Sequence, residues 1–381
     1  MQKVSIPVYS IIISLVFSLW ICIPFMLDSL QISPYVSISK SENRVLAKRP
    51  VPRIELLDPY PSAYESFYND HFPFRSELLH RNAYINYVYF DKSPSPNDVT
   101  VGRSGWLFYA SKERDVYEGK LIGNRDYIQN IVDNLHFRTE YLNKMGIPFY
   151  VVIAPMKSEV YSEFLPIYYR KPTQSLTEAV LEAIRKDTTI RLIDLKPALL
   201  KAKKRDRIFY KTDTHWNALG AYRAYAEIMN RLHLDFPQLQ PMALDEISFS
   251  DLRSDGGNLA AMIGLSDFLK DDYLIDQVIK PTAKDGPKAG YPPTPGFGYP
   301  SEYEQVKINF DTTLLKVVVI RDSFFTSLIQ NFSQHFSKSV YIFDAWEYKS
   351  NFDIIENEKP DLVILEIVAT NLLNLVTAEP N

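Results

Sequence analysis

A chain of 381 residues with 46% hydrophobic content can bury a large core, which excludes a disordered polymer. The formal net charge of −4, with no long basic run, leaves no electrostatic footprint for nucleic acid, whose binding rests on Lys and Arg neutralising phosphates. The single cysteine, Cys22, excludes a disulfide or a thiolate metal site in the rest of the chain.

From Val4 to Leu27 there is no charged residue. About 24 residues at a helical rise of about 1.5 Å can cross a hydrocarbon layer of roughly 30 Å, so residues 1–28 read as an uncleaved transmembrane anchor. No small-x-small cleavage site follows, which disfavours a removed signal peptide. Residues 29–95 read as a tether followed by a helical juxtamembrane segment, its apolar positions at Ala63, Phe67, Leu78, Leu79 and Ala83 carrying a helical spacing that Pro73 interrupts. Asn69-Asp70-His71-Phe72-Pro73-Phe74-Arg75 puts Asp, His and Arg together, which fits a helix end fixed by an ion pair better than it fits catalysis.

The remainder, residues 96–375, alternates strands with helices. Ser104-Gly105 before the alternating Trp106 to Tyr109 predicts a hairpin with a two-residue turn. A helix over about Arg125–Lys144 stops at Gly146, and the apolar run Ile147–Ala154 is a buried strand. Helices around Leu176–Lys186 and Ala218–Leu232 alternate with strands at Ile190–Leu195, Leu314–Ile320, Ser339–Phe343 and Leu362–Val368. Short apolar strands separated by helices predict a mainly parallel sheet covered on both faces, an α/β/α sandwich. Residues 238–305 break the rhythm with Pro, Gly and Asp, and their aromatics suggest an irregular binding loop.

Chemistry concentrates in two places. Tyr210-Lys-Thr-Asp213-Thr-His215-Trp216 puts a carboxylate two residues from an imidazole, ahead of a helix. About a hundred residues on, the β-branched run of Val317-Val-Val-Ile-Arg321 breaks at Asp322-Ser323 and enters a helical segment, Phe324–Phe332. Ligands of a parallel sheet bind beyond the carboxyl ends of its strands, where Ser323 falls, and its amide at a helix start is suited to an oxyanion. A serine needs an imidazole to take its proton, and the imidazole needs a carboxylate to fix its tautomer, so Asp213, His215 and Ser323 together could be a catalytic triad. Each also has a plainer reading: taken alone, Asp or Ser at a strand-to-helix junction is more commonly a cap. Six scattered histidines offer no metal-ligand spacing, so no metal site is expected.

At these residues the chain resembles the AlgX/AlgJ-like alginate O-acetyltransferase family, a circularly permuted group of SGNH hydrolase-like proteins. The matching pieces run in order: Glu42-Asn43-Arg44, Asn69 to Arg75, Gly102 to Tyr109, Ala154-Pro155-Met-Lys157 through Tyr161, Thr212 to Asn217, Gly256-Gly257-Asn-Leu259 and Arg321-Asp322-Ser323-Phe324. The resemblance implies an SGNH-hydrolase-like fold, Asp213, His215 and Ser323 as triad, and an extracytoplasmic O-acetyltransferase acting on polysaccharide hydroxyls. It implies an acyl donor rather than a bound cofactor, and a multispanning membrane-bound O-acyltransferase as acyl supplier. Lys157, Tyr161 and Trp216 are candidates for lining the substrate cleft, and each reads equally well as packing around the site. Arg321 stands where the family often has Gly and is expected to crowd the elbow, and no separate carbohydrate-binding module is expected after residue 375. A polysaccharide O-acetylesterase and a non-catalytic polysaccharide-binding or assembly component are the alternative readings.

Overall fold

The computed structural model describes residues 7–30, 46–52, 58–72, 75–110, 112–120, 125–170 and 173–376. The Glu42-Asn43-Arg44 triplet, most of the tether, and Pro73 and Phe74 lie outside the described residues. The chain divides into two compact units, Met1–Pro94 with Ala261–Leu265, and Ser95–Ala260 with Ser266–Asn381.

In the first unit, helix α1 spans Val8–Ser29, α2 Tyr60–Asp70 and α3 Arg75–Phe90. No helix among the described residues is long and apolar enough to cross a membrane, and the expected transmembrane helix over residues 1–28 is not borne out. Asp70 closes α2 and accepts the Ala47 N–H at 2.7 Å, tying an extended strand of chain to the helix end.

The second unit begins with a small antiparallel pair, β1 (Val99–Val101) and β2 (Leu107–Tyr109). Five residues, 102–106, separate the paired positions Val101 and Leu107, not the two expected, and the reversal is made by Ser104 and Gly105 at φ 57° and 77°. Two left-handed residues in succession let the chain turn inside a wider loop.

The main sheet has seven strands. In chain order, β3 is Phe149–Ala154 and β4 Arg191–Asp194; an outlying ribbon pairs β5 (Ile247–Ser254) with β6 (Asp271–Val278); then come β7 (Ala283–Asp285), β8 (Glu304–Asn309), β9 (Lys316–Arg321), β10 (Lys338–Phe343) and β11 (Leu362–Val368). Their spatial order is β4-β3-β11-β9-β10-β8-β7. The first five run parallel, and β8 and β7 add an antiparallel edge, so the sheet is mixed. Every residue of β3 and β11 is buried, because helices cover both faces. Tyr150, Val152 and Ala154 of β3 pack with residues of α8 (Lys196–Lys203) and α9 (Ala218–His233), whereas Phe149, Val151 and Ile153 pack with α5 (Arg125–Lys144) and α7 (Leu176–Lys186). Period-two alternation along one strand thus feeds two cores. Two shorter helices precede these, α4 (Lys112–Tyr117) before α5 and α6 (Lys157–Val160) directly after β3. The start of α7 is fixed by a capping box, in which Glu178 N–H donates to Ser175 Oγ and Ser175 N–H to the Glu178 carboxylate.

The segment 238–305 is more ordered than expected. The β5–β6 ribbon is paired over eight residues a side, and β7 joins the main sheet. The Pro-rich chain after it is pinned by Glu304, whose carboxylate accepts the N–H groups of Ala289, Gly290 and Tyr291.

Candidate active site

Ser323 stands two residues past the end of β9, the strand flanked by β10 and β11. The chain leaves that strand as a 3-10 helix, Ser323–Leu328, continued by an α-helical turn, Ile329–Phe332. Asp322 is the cap: its Oδ1 accepts the Phe324 N–H at 2.8 Å, and its Oδ2 accepts the Val368 N–H at 2.7 Å and the Tyr348 hydroxyl at 2.9 Å. The plainer reading of the Asp322-Ser323 pair is therefore right for Asp322. Ser323 is left exposed, with its hydroxyl free for other work.

The Asp-His segment is a loop closed by a β-bridge between Phe209 and Trp216. The helix after it, α9, is capped by Asn217, which accepts the Gly220 N–H at 2.9 Å, so neither Asp213 nor His215 is needed as its cap. His215 Nδ1 lies 2.7 Å from Asp213 Oδ1, and His215 Nε2 lies 2.9 Å from Ser323 Oγ. With the Nδ1 proton donated to the carboxylate, Nε2 is left as the acceptor for the serine proton. Three residues expected to converge from positions 108 apart in sequence do converge.

Asp213 is held on both oxygens. Oδ1 also accepts the His215 N–H at 3.0 Å, and Oδ2 accepts the Asn258 N–H at 2.9 Å. Burial works to raise its pKa, but the hydrogen bond and charge of His215 and the backbone N–H groups outweigh it and hold the carboxyl at about 2. Asn258 doubles the clamp, accepting the Thr214 N–H and donating to the Thr214 hydroxyl. Gly257 has to be glycine here: a Cβ would stand 2.5 Å from both Cβ and Oδ2 of Asp213. Thr212 is fixed in turn by Asp271, to which Arg207 pairs at 3.2 Å.

Lys157, Tyr161 and Trp216, the candidates for lining the substrate cleft, are 2%, 4% and 2% exposed and do not line the cleft at Ser323. Each braces the site from behind. Lys157 follows β3 and donates to the carbonyls of Tyr210, Lys211 and Asp213, at 3.2, 3.2 and 2.6 Å. Burial pulls its pKa down to about 8, against the opposing charges of Glu113, Asp213 and Asp271. The Tyr161 hydroxyl accepts the Ile208 N–H, and Trp216 Nε1 donates to Ser327 Oγ. Their polar atoms serve the protein because aromatic and lysine side chains in a core must find partners there.

Arg321 does not crowd the serine. It is fully buried, with its guanidinium 4.5 Å from the centre of the Phe343 ring and donating to the Asp322 carbonyl and the Thr326 hydroxyl. Beneath it lies Glu366 of β11, which accepts the Asp322 N–H. Burial and the neighbouring Asp322 push the Glu366 pKa well above the usual carboxylate range. Nothing in the sequence pattern marked this acid, since it sits in an otherwise apolar strand.

The serine opens into a cleft of about 420 Å³, lined by Tyr109, Tyr299, Glu302, Phe343, Trp346 and Asn371 among others. A nucleophile, a base and its orienting acid at the mouth of such a cleft can carry acyl transfer.

Comparison with known proteins agrees in fold and family. Residues 99–289 match the family model described as the SGNH hydrolase-like domain of the acetyltransferase AlgX. A protein of Pseudomonas aeruginosa described as "Probable alginate O-acetylase AlgJ" is 26% identical over 182 residues, which are 46% of this chain and 44% of that protein. The chain thus spans less than half the length of the curated relatives it matches. Among solved structures, the O-acetyltransferase domain of Pseudomonas putida AlgJ superposes with a TM-score of 0.51 at 18% identity, covering 72% of this chain and 92% of that one. Bacillus cereus PatB1 does so with a TM-score of 0.52 at 14% identity, over 72% and 96%. These two likenesses are of fold.

Proposed function

The chain belongs to the family of SGNH hydrolase-like domains represented by AlgX, and from that premise we propose that it is an O-acetyltransferase working through an acyl-serine on the hydroxyls of an extracellular or cell-envelope polysaccharide. The observation that most supports this is the unbroken chain of contacts Asp213 to His215 to Ser323, at 2.7 and 2.9 Å.

In the first displacement, His215 Nε2 takes the proton of Ser323 Oγ as that oxygen attacks the acyl carbonyl. The oxyanion faces the Ser323 amide at the start of its helix, and the proton on Nε2 passes to the leaving group as the donor bond breaks. In the second, a sugar hydroxyl gives its proton to Nε2 and attacks the acyl-serine. Collapse returns that proton to Ser323 Oγ and releases the sugar ester. Asp213 stays ionised throughout and stabilises the imidazolium between transfers. Because Ser323 is exposed, water can replace the sugar, which makes slow ester hydrolysis a property of the same site.

We place the catalytic unit outside the cytoplasmic membrane, with a multispanning O-acyltransferase supplying the acyl group. The test of the chemistry is to incubate the full chain in detergent with p-nitrophenyl acetate and map the acetyl group by intact mass and peptide analysis. An adduct on Ser323 is expected, and Ser323→Ala and His215→Ala should each lower turnover by about 10⁶-fold. Folded protein that carries no adduct and shows no turnover would sink the reading.

A further inference from the structure

The cleft carries information about the acceptor that the triad does not. Trp346, just past the end of β10, is 53% exposed, and Tyr299, from the Pro-rich chain, is 44% exposed. Their rings stack, 6.0 Å apart and 11° from parallel. Phe297 meets the Trp346 ring edge-on at 5.1 Å and 76°, and Phe343 packs on it at 5.7 Å, so the indole is held rigid while a large part of it faces solvent. A flat, braced aromatic face beside a nucleophile suits the C–H face of a pyranose ring.

The charge around it is one-sided. Among the described residues lining the cleft there is no Lys or Arg, while Glu302 is exposed there; Asp322, the other acid, is buried with both carboxylate oxygens bonded. The cation below the floor, Arg321, is fully buried; its Nε and second amino group have no hydrogen-bond partner and no exposed surface, so no ligand reaches them. Polymers that carry a carboxylate on each sugar are held by Arg or Lys forks, and this cleft would instead set their charges against Glu302. The other polar groups at hand, Thr370, Asn371 and Asn374, are the hydroxyl and amide types that pair with sugar hydroxyls.

We infer that the acceptor is a neutral glycan, not a polyuronate, with one sugar ring seated on the Trp346–Tyr299 face; this rests on the acyl-transfer reading of the same site. Like-charge exclusion by Glu302 and stacking on Trp346 together set the choice.

The experiment has a binding arm and a transfer arm. In the first, the full-length Ser323→Ala chain in detergent is titrated with N-acetylated chito-oligosaccharide, cello-oligosaccharide or oligomannuronate, and tryptophan fluorescence is read. At least one neutral series should bind about tenfold more tightly than oligomannuronate, a difference of the size one unfavourable charge contact produces. Trp346→Ala should weaken that binding about tenfold, and Glu302→Lys should shift the preference towards oligomannuronate by about the same factor. In the second arm, the unmodified chain with p-nitrophenyl acetate is offered the same sugars, and acetylated oligosaccharide is measured against free acetate. Preferential transfer to a neutral series is expected. Oligomannuronate binding or accepting as well as the neutral series overturns the inference, as does an acylated Ser323 with no neutral sugar bound or acetylated. If neutral sugars bind at Trp346 but Ser323 never acylates, the subsite stands and the acyl-transfer reading falls.

Discussion

The two halves of the proposed triad are held in place by opposite means. The Ser323 half is built around an anion: Asp322 gathers two backbone N–H groups and a tyrosine hydroxyl, all at the carboxyl end of the sheet. The Asp213-His215 half is built around a cation, Lys157, which gathers three carbonyls and lies 56 residues away from Asp213 in sequence. It is then closed from the other side by Gly257 and Asn258. Both halves draw on residues 26 to 56 positions away in sequence, but the anion stands next to the serine whereas the cation acts on the acid through its backbone carbonyl, and changes away from the serine should reach catalysis through the loop.

The largest effects test the two buried charges. Asp322→Ala leaves the Phe324 and Val368 N–H groups and the Tyr348 hydroxyl unmet, and Lys157→Met leaves three carbonyls unmet. Each should lower unfolding stability in urea by about 3–5 kcal/mol, the usual result of stripping one member from a buried charged network. Lys157→Met should also lower turnover per folded molecule, because Asp213 loses the contact that sets its carbonyl. Unchanged turnover in that variant would break the contrast drawn above, leaving Lys157 with stability alone.

A smaller change sharpens it. In Gly257→Ala the new methyl must displace Asp213, since no atom sits 2.5 Å from a carboxylate oxygen unbonded. A shift of the acid moves the imidazole with it, and a misplacement of about 1 Å should lower kcat about a hundredfold. Acetylation of Ser323 by p-nitrophenyl acetate reports this directly. A variant that folds and acylates at the normal rate would mean the loop tolerates slack.

The same contrast explains what could be read from the chain alone. The parallel strands were legible because burial on both faces writes them as continuous apolar runs, and β11 was found over its full length, Leu362–Val368. Helices Arg125–Lys144 and Leu176–Lys186 were legible from their apolar spacing, the first also from the glycine after its end. For Asp213, His215 and Ser323 the residues alone left a triad and helix caps as equal readings, and the family resemblance favoured the triad. The β5–β6 ribbon was not legible, because its strands are mostly exposed, as in Ser248, Ser250 and Arg253, and lack the alternation that a half-buried strand shows. For Lys157, Tyr161 and Trp216 the chain left two readings open, cleft lining and packing around the site, and burial decides for packing, because proximity to a motif does not say which side of it a side chain lies on.

The finest effect is in the pH dependence of stability, where the two supports should act in different windows. Asp213 has its pKa lowered from 3.8 to about 2, so its contribution is complete above about pH 5 and disappears as pH falls through the folded value; it amounts to about 2 kcal/mol. Lys157 has its pKa lowered from 10.5 to about 8, so between those values the unfolded chain binds the extra proton, and this group makes stability rise with pH there. Urea unfolding of Asp213→Asn should flatten the acid fall, and of Lys157→Met the alkaline rise, each leaving the other window intact. Lys157 donates to the Asp213 backbone carbonyl, and the Asp213 charge acts on the Lys157 pKa, so the two supports can report each other's charge. Loss of the acid fall in Lys157→Met would show that the cation, more than the His215 and Asn258 hydrogen bonds, keeps Asp213 ionised, and that the loop is organised around a single ion pair instead of a clamp of backbone groups.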